Sequence, residues 1–129
     1  MSARAVAPVV KPLTQEQIAR YAAASGDHNP IHVDEAFARG TPFGGTIAHG
    51  MLVLASISEM MAAAFGEAWI IGGKLRVRFR APARPGDTIT ASARPQPSQD
   101  GSTLTYAVEC RNQHGELLIS GTAEVPSDG

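Results

Sequence analysis

The spacing of hydrophobic positions changes along the chain, and each change predicts a different element. From Thr14 onward, Ile18, Tyr21 and Ala22 recur at helical intervals, and Gly26 closes the run. Thr14 followed three residues later by Gln17 is a capping-box start. A second stretch, His49–Ala64, is apolar on nearly every face, which predicts a helix buried on all sides. Beyond it the period falls to two. Ile70–Ala81, Thr88–Arg94, Thr103–Arg111 and Leu117–Val125 alternate apolar with polar residues and predict four strands. Pro85-Gly86 fits the central positions of a type II turn between the first two strands. Asp100-Gly101 and His114-Gly115 mark the next two hairpins, so the strands are expected as an antiparallel meander.

The segments between these runs carry the punctuation. Pro30 lacks an amide donor and disfavours a helical Asn29, so no regular helix passes through Asp27–Pro30. Asp34 can cap a short helix, Glu35–Arg39. Gly40–Gly45 holds three glycines and one proline, a loop where backbone comes close to something. A buried helix in so small a chain needs a wrapper, and the strands supply one. The expected fold is α+β: a single hotdog domain across residues 1–129, with its core at about 14–125, in which an antiparallel sheet wraps a long apolar central helix. One layer of sheet leaves edges open, so a homodimer or a larger even oligomer is expected. The tail Pro126–Gly129 is expected to fray.

Composition narrows the class. With 129 residues, 43% hydrophobic and 18% charged, the chain suits one soluble globular core. A net charge of -1 argues against a nucleic-acid partner. The single cysteine, Cys110, excludes an intrachain disulfide, and its place in an alternating run reads as a small buried hydrophobe rather than a nucleophile. No signal-type apolar core lies in Met1–Pro12. Ser56, Ser58 and Glu59 interrupt the apolar stretch Ile47–Phe65, so no membrane span is expected and the location is read as cytoplasmic.

Three features carry candidate chemistry. Asp27 and His32 stand five residues apart around a proline-forced turn, which can point a carboxylate and an imidazole into one cavity for general acid–base work. The other reading is a capping loop, with Asp27 bonding backbone amides and His32 at the surface. Gly50 opens the apolar helix, where an unpaired amide and the positive dipole end can hold an oxyanion; the other reading is close packing against the sheet. Lys74, Arg76, Arg78 and Arg80 share one strand face, either a solvated surface or a cationic rim for phosphates or an acidic carrier protein. A zinc site from His28, His32, His49 and Asp34 is not expected, because Pro30 breaks the helix that would align His28 with His32.

Taken in order, these motifs resemble one family. Tyr21 to His32 resembles the Y-A-x-x-S-G-D-x-N-P-x-H signature of MaoC-like (R)-specific enoyl-CoA hydratases. Ile47 to Leu52 is similar to that family's I-x-H-G-M-L, and Phe79, Pro82, Pro85, Gly86 and Asp87 resemble its F-x-x-P-x-x-x-G-D motif. The resemblance covers roughly Thr14 to Val125 and favours the catalytic reading of Asp27 and His32. It implies a hydro-lyase that reversibly adds water to a trans-2-enoyl thioester, equally a 3-hydroxyacyl thioester dehydratase. It implies that Asp27 and His32 bind the water and that the Gly50 amide holds the thioester oxygen, with Ser25, Asn29 and His49 in support. The active site would lie near a dimer interface. No cofactor is implied beyond the coenzyme A or acyl carrier protein that forms part of the substrate. The alternatives on the same scaffold are an acyl-CoA thioesterase and a non-catalytic subunit of a heteromeric dehydratase.

Overall fold

A computed structural model describes residues 4–98 and 101–127. The capping box predicted at Thr14 forms in both directions: Thr14 Oγ1 accepts from the Gln17 amide at 3.1 Å, and Gln17 Oε1 accepts from the Thr14 amide at 3.1 Å. It starts helix α1 (Gln15–Ser25), which buries Ile18 and Ala22 and ends at Gly26, in the left-handed region at φ 80°. Pro30 stops nothing already running; it begins a helical turn of its own, α2 (Pro30–Val33), capped by the Asn29 side chain. Asp34 caps α3 (Glu35–Arg39) as its sequence position predicts. The central helix α4 (Gly50–Phe65) follows the glycine-rich loop, and a short α5 (Glu67–Gly72) follows it.

The strands are β1 (Val9–Pro12), β2 (Lys74–Phe79), β3 (Thr88–Gln96), β4 (Thr103–Arg111) and β5 (Leu117–Pro126). They form one antiparallel sheet in the order β1-β3-β4-β5-β2. Its inner face packs on α4, where Val53, Ile57, Met60 and Met61 meet Ile89, Tyr106, Val108 and Val125 in one core. The α+β class and the sheet-around-helix layout agree with the sequence reading. Cys110 is fully buried in β4, and burial pushes its thiol pKa up, as suits a packing residue rather than a nucleophile.

Several details differ from the sequence reading. The sheet gains β1 at one edge, paired with β3. Four residues ending in a proline carry too little periodicity to announce a strand, and an edge position is where proline is tolerated. The first predicted strand begins at Lys74, not Ile70, because Gly66 (φ 58°) turns the chain and Trp69 packs under it to form α5. Ile70 and Ile71 are consequently 74% and 76% exposed. Strand β2 pairs with β5 rather than with β3, so only β3, β4 and β5 form a meander. The Pro85-Gly86 turn still exists: the Asp87 amide donates to Arg84 O at 3.0 Å across Gly86 at φ 94°. It redirects the chain across the sheet instead of joining neighbours. At the next hairpin Asp100 lies outside the described residues, while β3 and β4 pair as expected. Gly115 (φ 77°) closes the last hairpin, with its amide donating to Asn112 O at 3.0 Å. Pro126 belongs to β5 and the Ser127 amide donates to Ser102 O at 2.9 Å, so the tail is ordered that far; Asp128 and Gly129 lie outside the described residues. Helix α4 is not buried on all sides, since Met51, Ala55, Glu59 and Ala63 form an exposed stripe. A five-stranded sheet cannot enclose a helix alone.

Gly121 marks the tightest strand contact. A Cβ there would overlap the Arg76 carbonyl oxygen and press within 2.8 Å of Val77 Cα, both on the neighbouring β2 backbone. Backbone cannot yield as a side chain can. Gly121→Ala is expected to destabilise the fold by about 2 kcal/mol or more, within the range of overpacked sites. Urea denaturation checks this, and a midpoint equal to wild type contradicts it.

Candidate active site

The turn between α1 and α2 is held by its own polar side chains. The Asp27 amide donates to Ser25 Oγ at 3.2 Å, the Asn29 amide to Asp27 Oδ1 at 3.2 Å, and the Ile31 amide to Asn29 Oδ1 at 3.0 Å. Each side chain thus accepts from a backbone amide two residues on, which fixes a compact turn ahead of Pro30. Ser25 braces Asp27, as the motif implies. Asn29 spends its side-chain oxygen on the α2 cap.

That turn leaves Asp27 Oδ2 free and directs it toward His32. Asp27 Oδ2 and His32 Nε2 are 4.0 Å apart, with the side chains 53% and 12% exposed. The gap is too wide for a direct hydrogen bond and suits one bridging water. The other imidazole nitrogen is committed: His32 Nδ1 lies 2.8 Å from Ile47 O. A carbonyl only accepts, so Nδ1 carries the proton, and a neutral His32 turns the lone pair of Nε2 toward Asp27. The Ile47 amide in turn donates to Ile31 O at 3.1 Å, and Gln15 Nε2 donates to His32 O at 2.9 Å. Gln15 is itself held by Thr46, whose Oγ1 donates to Gln15 Oε1 at 2.8 Å. Neither Gln15 nor Thr46 stood out in the sequence, because each acts through contacts between segments far apart in the chain.

His49 lies beneath this pair, only 3% exposed. Its ring stacks on His32 at 3.8 Å between centroids and 24° between planes, and meets Tyr21 at 4.8 Å. His49 Nε2 lies 3.0 Å from the Asp27 carbonyl oxygen and therefore donates to it, while Nδ1 is buried without a partner. Asp27, His32 and His49 bring potential ligand atoms within 4.8 Å of one another. The set differs from the one weighed on sequence: His28 is exposed, and Asp34 caps α3 through the Phe37 amide. The geometry does not suit one ion. A metal lies in the plane of each imidazole that binds it, and two stacked rings share no such point.

Gly50 is the first residue of α4, preceded by His49 as an N-cap without a side-chain bond. Its amide belongs to the helix's first turn, which has no intrahelical acceptor. A Cβ at Gly50 would stand 2.9 Å from Phe79 Cε1, so the glycine lets the end of β2 close on the helix start. Beside it opens a cavity of about 300 Å³, lined by Phe43, Ile47, Gly50, Val53, Phe79 and Arg80 among others. The packing reading and the oxyanion reading of Gly50 thus meet in one place. Phe79 also stands out: its alternation puts it inward, yet its ring is exposed beside Gly50. Lys74, Arg76 and Arg78 share one exposed face of β2; Arg80, placed on the same strand face by the sequence pattern, lies exposed just past the strand's end, and its Nε donates to Ser120 Oγ at 3.0 Å. The structure thus gathers Asp27, His32, His49, Ser25 and Asn29 in one cluster and sets Gly50 next to it in sequence, with Arg80 on the cavity beside Gly50. Lys74, Arg76 and Arg78 do not line that cavity.

Comparison with known proteins identifies the family. The family model described as "MaoC like domain" matches residues 3–116. The chain is 32% identical over 120 residues to the (R)-specific enoyl-CoA hydratase of Rhodospirillum rubrum, covering 92% of this chain and 83% of that protein. It is 40% identical over 117 residues to 3-hydroxyacyl-thioester dehydratase Z of Mycobacterium tuberculosis, covering 88% and 72%. Among solved structures it is similar to the (R)-hydratase from A. caviae involved in PHA biosynthesis, at TM-score 0.81 and 29% identity over 97% of both chains. A family match over most of the chain and relatives at 32% and 40% identity agree, and the chain belongs to the MaoC-like domain family.

Proposed function

We propose that this chain is an (R)-specific enoyl-thioester hydratase, running in reverse as a 3-hydroxyacyl-thioester dehydratase, with Asp27, His32 and the Gly50 amide as its machinery. The observation that carries the reading is the 4.0 Å gap between Asp27 Oδ2 and His32 Nε2. Both are acceptors when Asp27 is ionised and His32 neutral, so a water between them donates a hydrogen to each and turns its own lone pairs outward. That orientation suits attack on C3 of a trans-2-enoyl thioester. Asp27 takes the proton as the oxygen bonds to C3, the C2–C3 π bond opens, and charge moves to the thioester oxygen. The Gly50 amide, at the positive end of α4, stabilises that oxyanion. Because His32 Nδ1–H is held by Ile47 O, neutral His32 has no proton of its own for C2. The proton delivered there is the one taken from the water and carried by the Asp27–His32 pair. Dehydration retraces these steps.

The other expectations fit this chemistry. Coenzyme A or acyl carrier protein enters as part of the substrate, and the steps call for no further cofactor. The cations Lys74, Arg76, Arg78 and Arg80 form the rim for the carrier's anionic groups, with Arg80 nearest the cavity. No helix among the described residues is long and apolar enough to cross a membrane, and we assign the enzyme to the cytoplasm. Met51, Phe43 and Phe79 are large, apolar and exposed on or beside α4's first turn, which supports a homodimer that covers them.

Asp27→Asn and His32→Ala are each expected to lower the kcat for hydration of crotonyl-CoA by about two to four orders of magnitude, the range for a positioned acid or base. A spectrophotometric assay measures this, and full activity in either variant removes the assignment. Gly50→Val should lose about 3 kcal/mol or more of transition-state stabilisation, comparable with one oxyanion donor. Its circular dichroism and oligomeric state must first match wild type, since Phe79 also packs there. A folded Gly50→Val enzyme with the wild-type rate would make Gly50 a packing glycine alone. Light scattering is expected to give a dimer or larger even oligomer, and an active monomer at micromolar concentration contradicts the homodimer.

A further inference from the structure

We infer that His49 is a positioning residue for Asp27, acting through the hydrogen bond from its Nε2–H to the Asp27 backbone carbonyl. The inference rests on the hydratase reading above and extends it to a residue that touches no reacting atom. The observations converge on one ring. His49 is almost wholly buried, and its Nε2 lies 3.0 Å from Asp27 O. This contact spans 22 residues and ties the start of α4 directly to the turn that carries the carboxylate. The same ring stacks under His32 at 3.8 Å, so one side chain supports both members of the pair from below. Tyr21 meets the same ring at 4.8 Å between centroids and 59° between planes, so two side chains pack on a ring that is only 3% exposed.

The orphaned nitrogen gives the argument its direction. Nδ1 of His49 is buried without a partner. A buried acceptor left unsatisfied lowers stability, so a residue chosen only to fill this space would be an apolar ring. An apolar ring would still stack under His32 and pack on Tyr21. What it would lack is the donor to Asp27 O. The Asp27, Asn29 and Ile31 amides do not supply that donor, because all three are spent on side chains within the turn. The turn fixes its own shape; His49 fixes where that shape sits relative to α4 and hence to the Gly50 amide one residue on.

Two variants separate the bond from the stack. His49→Phe keeps an aromatic ring and removes the donor; His49→Gln keeps an amide donor and removes the ring. His49→Phe is expected to melt no lower than wild type, with kcat for crotonyl-CoA down about 10- to 100-fold, the scale of a small misplacement of a reacting group, and KM little changed. His49→Gln is expected to recover most of that kcat. Amide hydrogen exchange in the Asp27–Val33 segment should speed up in His49→Phe and not in His49→Gln, with α4 and the sheet unchanged. Wild-type kcat and exchange in a folded His49→Phe, or full activity in His49→Phe with loss in His49→Gln, overturns the inference. If the wild-type chain fails to hydrate enoyl thioesters, the hydratase reading falls by itself, and the exchange comparison still decides whether His49 holds the turn.

Discussion

The bond from His32 Nδ1 to the Ile47 carbonyl, 2.8 Å long, governs more of this molecule than its length of chain would imply. It selects the tautomer, and through the tautomer it decides what Nε2 offers to the space beside Asp27. It also joins α2 to the segment that leads into α4. The return bond from the Ile47 amide to Ile31 O, 3.1 Å, makes that joint two-sided. Two segments that are separated by the whole glycine-rich loop are thereby held as one unit, and His32 cannot shift relative to the segment before α4 without breaking one of these two bonds.

The sheet enters the site through the other side of the same segment. The Ala48 amide donates to Ala83 O at 2.8 Å, which pins the α4 start to the chain just beyond β2. Phe79, at the end of β2, then closes over Gly50 so tightly that a Cβ would meet its ring at 2.9 Å. A single glycine therefore serves two demands that pull the same way. The absence of a side chain lets β2 approach, and it leaves Gly50 lining the open cavity of about 300 Å³ beside the helix start.

What the sequence made legible follows the range of the interactions involved. The Thr14 capping box, the Gly26 stop, the Asp34 cap and the Pro85-Gly86 turn are decided by residues within a few positions of each other, and all formed as their patterns predict. The α4 helix and three of the strands follow from periodicity alone. The failures have a common cause. Strand β1 exists because β3 offers it a ladder, α5 because Trp69 finds a place against Ser58 (Nε1 to Oγ 3.0 Å), and the β2–β5 pairing because Gly121 permits close contact. None of those partners is near in sequence. The same division runs through the site. Asp27, His32 and Gly50 were legible as motif residues, whereas Gln15 and Thr46 enter only through bonds spanning 17 and 31 positions.

The exposure of the acid–base pair sets a requirement on whatever completes the site. His32 is largely covered, from below by His49 and from the side by the Ile47 segment, while the Asp27 carboxylate is half open to solvent. The protein also leaves apolar surface exposed. Phe43 and Phe79 flank the Gly50 cavity, Met51 continues along α4, and all three remain exposed in the single subunit. That exposed apolar surface is costly to leave in water, but it flanks the Gly50 cavity, which neither Asp27 nor His32 lines. Covering the rim and covering the carboxylate are therefore two requirements, and a cover that meets both has to reach from the Gly50 cavity to the Asp27–His32 turn.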